Sequence, residues 1–293
     1  MQPSIAIVAP GNMGAGIARV LTGHGVPVRT HLDGRSEASL KRAQAARMQD
    51  VPLAALLEVD LLLSIMPPAA ALPFAQRLAP QLSAAQHKPV FVDCNAKSPQ
   101  SAREMAAVIE GTGTPFVDGA IIGLPPSLLP SSPSKAAGGA PRLFAAGERA
   151  VALRVLGEHG LDVRVLEGPV GAAAALKMSF AGINKGLTAV ASAMILAATR
   201  AGAAPALREE LQERWPVLSE MLARQVPDML PKAYRWIAEM REISEFASAD
   251  PAASDMYLAI SSLFSQIASD VERDGPARRA LAGFFSKGPS DGS

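Results

Sequence analysis

Cysteine is nearly absent from this chain. Cys94 is the only one in 293 residues, so no internal disulfide can form and a reducing, cytoplasmic setting is expected. An excess of one charge is also missing. Lys and Arg number 28 against 27 Asp and Glu, a net charge of +1, which leaves no electrostatic footprint for nucleic acid or an anionic membrane surface. The four histidines, His24, His31, His87 and His159, are scattered, and no C-x-x-C or H-x-x-x-H pattern occurs, so no metal centre is expected. No run of eighteen apolar residues is free of charge or proline, so no membrane span is expected. The first apolar run lacks a cationic leader and does not read as a signal peptide. Aromatic residues make up 4% against 49% hydrophobic. Alanine and leucine therefore carry the core, which favours helices.

What is present begins at the N-terminus. Ser4-Ile5-Ala6-Ile7-Val8 reads as a buried strand, Ala9-Pro10-Gly11-Asn12-Met13-Gly14 as a glycine turn, and Ala15 to Gly23 as a helix. Strand, glycine turn and helix in that order form the opening of a dinucleotide-binding domain. A pyrophosphate needs backbone N–H groups aimed at it, and a helix N-terminus supplies them. Gly11 keeps a Cβ out of the phosphates' way, and Gly14 allows the helix to pack closely on the strand. Ala9 stands where the usual G-x-G-x-x-G has its first glycine.

The first half of the chain alternates short apolar runs with helical stretches. The runs are Val26 to Leu32, Asp60 to Met66 (ended by Pro67-Pro68), Val90 to Asp93, Phe116 to Asp118, Leu143 to Ala145 and Val163 to Val165. Helical segments include Ser36 to Met48, Ser98 to Ile109 and Glu148 to His159. This alternation predicts an α/β, Rossmann-type, doubly wound and mostly parallel sheet. Gly123 to Pro141 is rich in proline, serine and glycine, and reads as a surface loop or lid. After Gly168-Pro169 the pattern turns all-helical: Val170 to Arg200 as one long helix, then Ala206–Gln225, Leu230–Phe246 and Ala252–Asp274. Gly171, Gly182 and Gly186 weaken that long helix, so packing against another helix must hold it. Gly288 to Ser293 reads as a frayed tail. The expected division is a cofactor-binding domain over residues 1–167 and an all-helical substrate and dimerisation domain over 168–293.

The end of the second strand discriminates between cofactors. Asp33 suits the free ribose hydroxyl of NAD, whereas Arg35 with Ser36 suits the 2′-phosphate of NADP. NADP is favoured, with NAD possible, and a plain surface turn capped by Ser36 remains open.

These features together resemble the β-hydroxyacid dehydrogenase and 6-phosphogluconate dehydrogenase superfamily, which also contains the imine reductases. Ala9 to Gly14 is similar to its fingerprint, including Asn12 and Met13 before the last glycine. Phe91 to Pro99 resembles its D-x-[SN]-T-x-x-P segment, and Phe116 to Gly123 its D-A-P-V-S-G-G segment. Gly168-Pro169-Val170-Gly171 with Leu176-Lys177-Met178 resembles its G-x-x-G-x-x-x-x-x-K motif. Lys232 to Trp236, with Glu239 and Met240, resembles a little-characterised C-terminal helical domain of one bacterial branch.

The resemblance implies that Lys177 is the general acid/base. An amine beside the reacting carbon can take the hydroxyl proton and return it, and partial burial lowers its pKa toward the working pH. The family's asparagine four residues on is replaced by Ala181, and its second acid, seven residues on, by Asn184. Decarboxylation of 6-phosphogluconate is therefore not expected. Asn184 either takes over an orienting, catalytic role or packs the helix; Lys185 either meets an anionic substrate group or does the same. Pro67 and Pro68 resemble the family's proline after the third strand, which shapes the cofactor cleft, and Met66 and Pro67 are expected to contact the cofactor. Asn95 corresponds to a group that bonds the nicotinamide or the substrate. Ile122 and Gly123 correspond to the substrate segment without its serine, giving a more apolar pocket. Cys94 reads as a buried, inert thiol. Tyr234, Arg235, Trp236, Glu239 and Arg241 cluster densely. Tyr234 either lines the substrate pocket or belongs to a dimer interface.

The expectation is an NAD(P)-dependent oxidoreductase, homodimeric, acting on the CH–OH of a small polar substrate, a hydroxy acid or its keto counterpart. An imine reductase is one alternative, although those enzymes usually carry Asp or Tyr in place of the lysine. A non-catalytic NADP-binding sensor is the other.

Overall fold

A computed structural model describes residues 2–126 and 141–286. The chain divides into two compact units, Met1–Met178 and Ser179–Ser293. The body of the Gly123–Pro141 loop and the Gly288–Ser293 tail lie outside the described residues.

The first unit follows the expected alternation. Its elements run β1 (Ile5–Val8), α1 (Asn12–Gly23), β2 (Val28–Thr30), α2 (Glu37–Ala45), β3 (Gln49–Asp50), β4 (Leu61–Ser64), α3 (Pro68–Ala84), β5 (Val90–Asp93), α4 (Pro99–Glu110), β6 (Phe116–Ile122), β7 (Arg142–Ala146), α5 (Arg154–Gly157) and β8 (Asp162–Val165). The eight strands form one sheet in the order β3-β2-β1-β4-β5-β6-β7-β8. All pairs are parallel except β6 with β7. The strands are short apolar runs because the sheet is covered on both faces. Ile5, Ile7, Leu61, Leu63 and Val92 face one core; Ala6, Val8, Leu62 and Phe91 face the other.

One local reading changes, and two details are added. The segment 148–159 is not one helix: a 3-10 turn at Ala150–Leu153 precedes the single turn of α5. The proline pair after β4 ends one element and starts another, since Pro68 is the first residue of α3, where its missing N–H costs nothing. The edge strand β3 has only two residues, both exposed, too few for any alternation to register.

The helix α6 (Ala172–Arg200) carries the unit boundary along its length. By length and composition it is apolar enough to cross a membrane, its most apolar eighteen residues having a mean hydropathy of 1.4, though Lys177 and Lys185 interrupt it. The second unit continues with α7 (Ala204–Arg214), α8 (Pro216–Met229), α9 (Ala233–Phe246), α10 (Pro251–Glu272) and α11 (Pro276–Gly283). The single helix expected across 206–225 is broken at Trp215. Pro216 disfavours helical geometry at the residue before it. The core of this unit holds Leu222, Val226, Met240, Ile243, Ile260, Phe264 and Ile267, with Trp236 edge-on to Phe264 at 5.2 Å. Gly182 of α6 admits α10: a Cβ there would lie 2.7 Å from the Tyr257 hydroxyl.

Candidate active site

The glycine turn leads into a helix start without a side-chain cap. The Gly11 amide closes the turn on the Ala9 carbonyl at 2.8 Å. Gly11 is the N-cap of α1 and brings no side chain to it, and the first turn holds no acidic residue. The helix therefore presents unsatisfied N–H groups around Asn12, Met13 and Gly14. The two key glycines differ. A Cβ on Gly14 would lie 2.5 Å from the Ala9 carbonyl oxygen, whereas a Cβ on Gly11 would meet nothing within 4 Å. Gly14 is thus a packing glycine, and Gly11 faces open space.

At the end of β2, Asp33 is 88% exposed, with its carboxylate 3.6 Å from His31. Gly34 has φ +71, and the Arg35 amide returns to the Leu32 carbonyl. Ser36 caps α2, accepting from the Ser39 amide. Arg42 is the residue missed by reading the sequence. Its guanidinium donates to the Pro10 carbonyl at 3.0 Å and the Ser39 hydroxyl at 3.1 Å, tying the glycine turn to α2 beside Arg35 and Ser36. Its placement one turn beyond Ser39 was the available signal.

Asn95 is 3% exposed and fully engaged within the protein. Its carbonyl oxygen accepts from the Met66 amide at 2.6 Å, and its amide donates to Ser64 and Asp93. The side chain staples the ends of β4 and β5 and orients Met66-Pro67. It does not reach outward, as direct bonding to a nicotinamide would require. Beside it, burial pushes the Cys94 thiol up to about 12, with the Lys177 charge opposing and Asp118 reinforcing. Such a thiol is inert at neutral pH.

Below this surface lies a buried charge cluster. Lys97, 5% exposed, pairs with fully buried Asp93. Its ammonium also approaches the Met105 sulfur and the Phe116 ring. Burial lowers the Lys97 pKa to about 7 against the pull of Asp118. In β6, Asp118 is completely buried and accepts from three backbone amides at the start of α6. At the end of the same strand Ile122 is half-buried. Gly123 has φ +127, and a Cβ there would lie 2.9 Å from Pro141.

Lys177 stands in the second turn of α6. It is half-buried, and desolvation lowers its pKa, opposed by the Cys94 thiol. Among the described residues it has no carboxylate partner, in contrast to Lys97. An unpaired amine held partly out of water is what a proton shuttle needs.

The remaining sequence candidates belong to the helical unit, where the structure gives them partners. Asn184 accepts from Gln225 at 2.6 Å, and Gln225 in turn accepts from Thr188. Lys185 pairs with Glu239 and sits 5.2 Å from the Trp236 ring centroid. Burial raises the pKa of neighbouring Glu242, an effect Glu245 reinforces and Lys185 opposes. Asn184 and Lys185 are therefore engaged in helix packing. Tyr234 is 64% exposed. Among the described residues no group of His, Cys, Asp and Glu is placed to hold a metal.

Residues 198–267 match a family model described as a domain of unknown function, DUF1932. No curated protein matches the chain in sequence. Solved structures share its fold. One is a conserved protein of unknown function described as structurally similar to 3-hydroxyacid dehydrogenases; it is 25% identical, covering 93% of this chain and 99% of that one, with a TM-score of 0.74. A second is the 3-hydroxyisobutyrate dehydrogenase of Mycobacterium tuberculosis, solved with L-serine, at 20% identity, 96% and 98% coverage and a TM-score of 0.68. A third is an imine reductase from Myxococcus stipitatus in complex with NADP+, at 14% identity, 97% and 100% coverage and a TM-score of 0.53. A variant from the same organism was solved with NAD+. The chain thus has the Rossmann-type fold of the hydroxyacid dehydrogenase superfamily, followed by helices that carry the DUF1932 segment.

Proposed function

We propose that this chain, built on the hydroxyacid dehydrogenase fold, is an NAD(P)-dependent oxidoreductase. It transfers a hydride to or from a small polar substrate, a hydroxy acid or its keto counterpart. The observation that carries the reading is Lys177: an unpaired, desolvated amine on the helix that follows a dinucleotide-type sheet. The residues fit the cofactor. The uncapped N-terminus of α1 would hold the pyrophosphate, and the open space over Gly11 would admit it. Arg35 and Ser36, joined by Arg42, would hold a 2′-phosphate, which favours NADP; Asp33 leaves NAD possible. The bound nicotinamide would supply the hydride acceptor or donor.

Lys177 handles the proton. As a free amine it takes the hydroxyl proton during oxidation, and as an ammonium it returns that proton to the carbonyl oxygen during reduction. Ile122 and the backbone around Gly123 line an apolar substrate segment. Residues 1–167 serve the cofactor, and residues 168–293 serve substrate contact and homodimerisation. The solved relatives that act on hydroxy acids support this substrate class over an imine. The lysine supports it too, since its ammonium is suited to protonating a carbonyl oxygen.

The test is cofactor absorbance with NADPH and NADH against a panel of small keto acids and cyclic imines. Turnover of a keto acid with NADPH is expected. Lys177→Met should lower turnover by about 10²- to 10⁴-fold while leaving cofactor affinity intact. Oxidation should rise with pH through a pKa below the ordinary lysine value, because the neutral amine is the base and burial favours it. Reduction should fall through the same pKa. Unchanged turnover in Lys177→Met, or consumption of imines alone, would defeat the proposal.

A further inference from the structure

We infer that Asp118 is the positioning residue for Lys177: its carboxylate clamps the first turn of α6 to the centre of the sheet and sets the electrostatic surroundings of the amine. The inference rests on the reading of Lys177 as the acid/base, and it adds a residue to which no role in that chemistry has so far been attached.

A carboxylate in the middle of the apolar strand FVDGAII needs compensation, because burying an unpaired charge is costly. The compensation comes from 53 to 56 residues away. One oxygen, Oδ2, accepts from the amides of Gly171, Ala173 and Ala174 at 2.9, 3.0 and 3.1 Å. These belong to the group of amides that every helix leaves unsatisfied at its start. The helix has no acidic residue of its own in its first turn; the sheet supplies one instead. Gly171 reaches this geometry with φ +103, where a Cβ would press on Arg103 and Pro99. Asp118 is itself fixed on both sides, opposite Asp93 in β5 and Ala146 in β7. A group on a central strand is a more rigid support than one on a loop.

Lys177 follows Ala173 by one turn, about 6 Å along the helix. The Cys94 thiol responds to the charges of both Lys177 and Asp118, and it packs on Gly119, where a Cβ would lie 3.0 Å from the sulfur. The thiol at the end of β5 thus lies within electrostatic reach of both the amine and the carboxylate. The other charged groups facing it are Lys97 with its partner Asp93, and Arg103 beside Gly171. The Asp118 Oδ1 has no hydrogen-bond partner among the described residues; burial raises the Asp118 pKa, and the three amides and the nearby Lys97 charge oppose that rise and favour the carboxylate. A helix start carries a partial positive charge that disfavours an ammonium close to it. The Asp118 carboxylate cancels that charge, so that Lys177 can still be protonated when it must act as an acid.

Two measurements that need no substrate test this. The first is hydrogen exchange of the wild-type protein. The amides of Gly171, Ala173 and Ala174 should be protected like those of β6, and unlike the uncapped first turn of α1. The second is competitive acetylation by trace acetic anhydride across the alkaline range, read at Lys177 by peptide mass spectrometry. Asp118→Asn should lower the Lys177 midpoint by about half a pH unit or more and speed exchange at the three amides about tenfold. Asp118→Glu should recover part of both effects. A folded Asp118→Asn protein with an unmoved Lys177 midpoint would overturn the inference, as would wild-type amides that exchange as fast as those of α1. If Asp118→Asn does not fold, wild-type exchange and Asp118→Glu carry the test. Should Lys177→Met retain turnover, the functional proposal fails while the clamp can still be measured.

Discussion

The Lys97 ammonium and the Asp93 carboxylate, four residues apart at the end of β5, form an ion pair that solvent hardly reaches. Such pairs contribute little net stability when intact, but breaking one strands a buried charge and costs about 3–5 kcal/mol. Below pH 7, where Lys97 is charged, Lys97→Met should therefore lower the melting temperature by roughly 10 °C for a chain of this size. Lys97→Met combined with Asp93→Asn should recover most of that loss. Burial holds the folded Lys97 pKa at about 7, below its unfolded value. Above about pH 7 the unfolded chain therefore binds more protons than the native one, and stability from this group rises with pH toward the ordinary lysine pKa. Thermal melts across that range should show the rise in the wild type and not in the double variant. Equal melting temperatures for wild type and Lys97→Met below pH 7 would refute the account.

Two glycines three residues apart should fail in different ways. Gly14→Ala drives a methyl to 2.5 Å from the Ala9 carbonyl oxygen, a backbone clash that costs about 1–3 kcal/mol by the measure of other overpacked sites. Gly11→Ala meets no protein atom within 4 Å, so the fold should be unperturbed while the methyl occupies the space a pyrophosphate needs. Calorimetry should find the melting temperature lowered only in Gly14→Ala. Titration with NADPH should find affinity weakened at least tenfold in Gly11→Ala. A Gly11→Ala protein that binds NADPH normally would remove the glycine turn from the proposed site.

Local signals were legible in the sequence. The strand and turn at Ile5–Gly14, the Ser36 cap and the alternation of runs each depend on residues close together in the chain. The features that were not legible depend on distance. Nothing near Asp118 announces that residues 171–174 will cap themselves on it. Lys97 looks like a solvent lysine, because lysine is rarely buried, until β5 and β6 place Asp93 and Phe116 beside it. Asn95 carries a plausible ligand-binding group, yet its partners Ser64 and Met66 lie one strand away. Arg42 becomes informative only once α2 folds back on Pro10. The break at Trp215 was in principle readable from Pro216, but the helical periodicity on either side masked it.

The exposed face of α6 in the helical unit makes the last prediction. Phe180, Ile183, Leu187, Val190 and Met194 are 53%, 65%, 43%, 59% and 55% exposed. Their spacing alternates three and four residues, the a/d pattern of a helix seam, and it runs about 21 Å along the helix. Scattered exposed apolar residues need no explanation, whereas a continuous stripe marks a contact surface. In the proposed homodimer the matching stripe of a second copy covers it. Ile183→Glu together with Val190→Glu places two charges in that seam without touching the buried side of the helix. Light scattering coupled to size exclusion should then give the mass of one chain in place of two, with helical content retained. Because the same helix is long and apolar enough to cross a membrane, flotation of the wild type with neutral vesicles is the control. The protein should stay at the bottom of the gradient. A wild-type mass of one chain, or a dimer that survives both substitutions, would take the interface off this face.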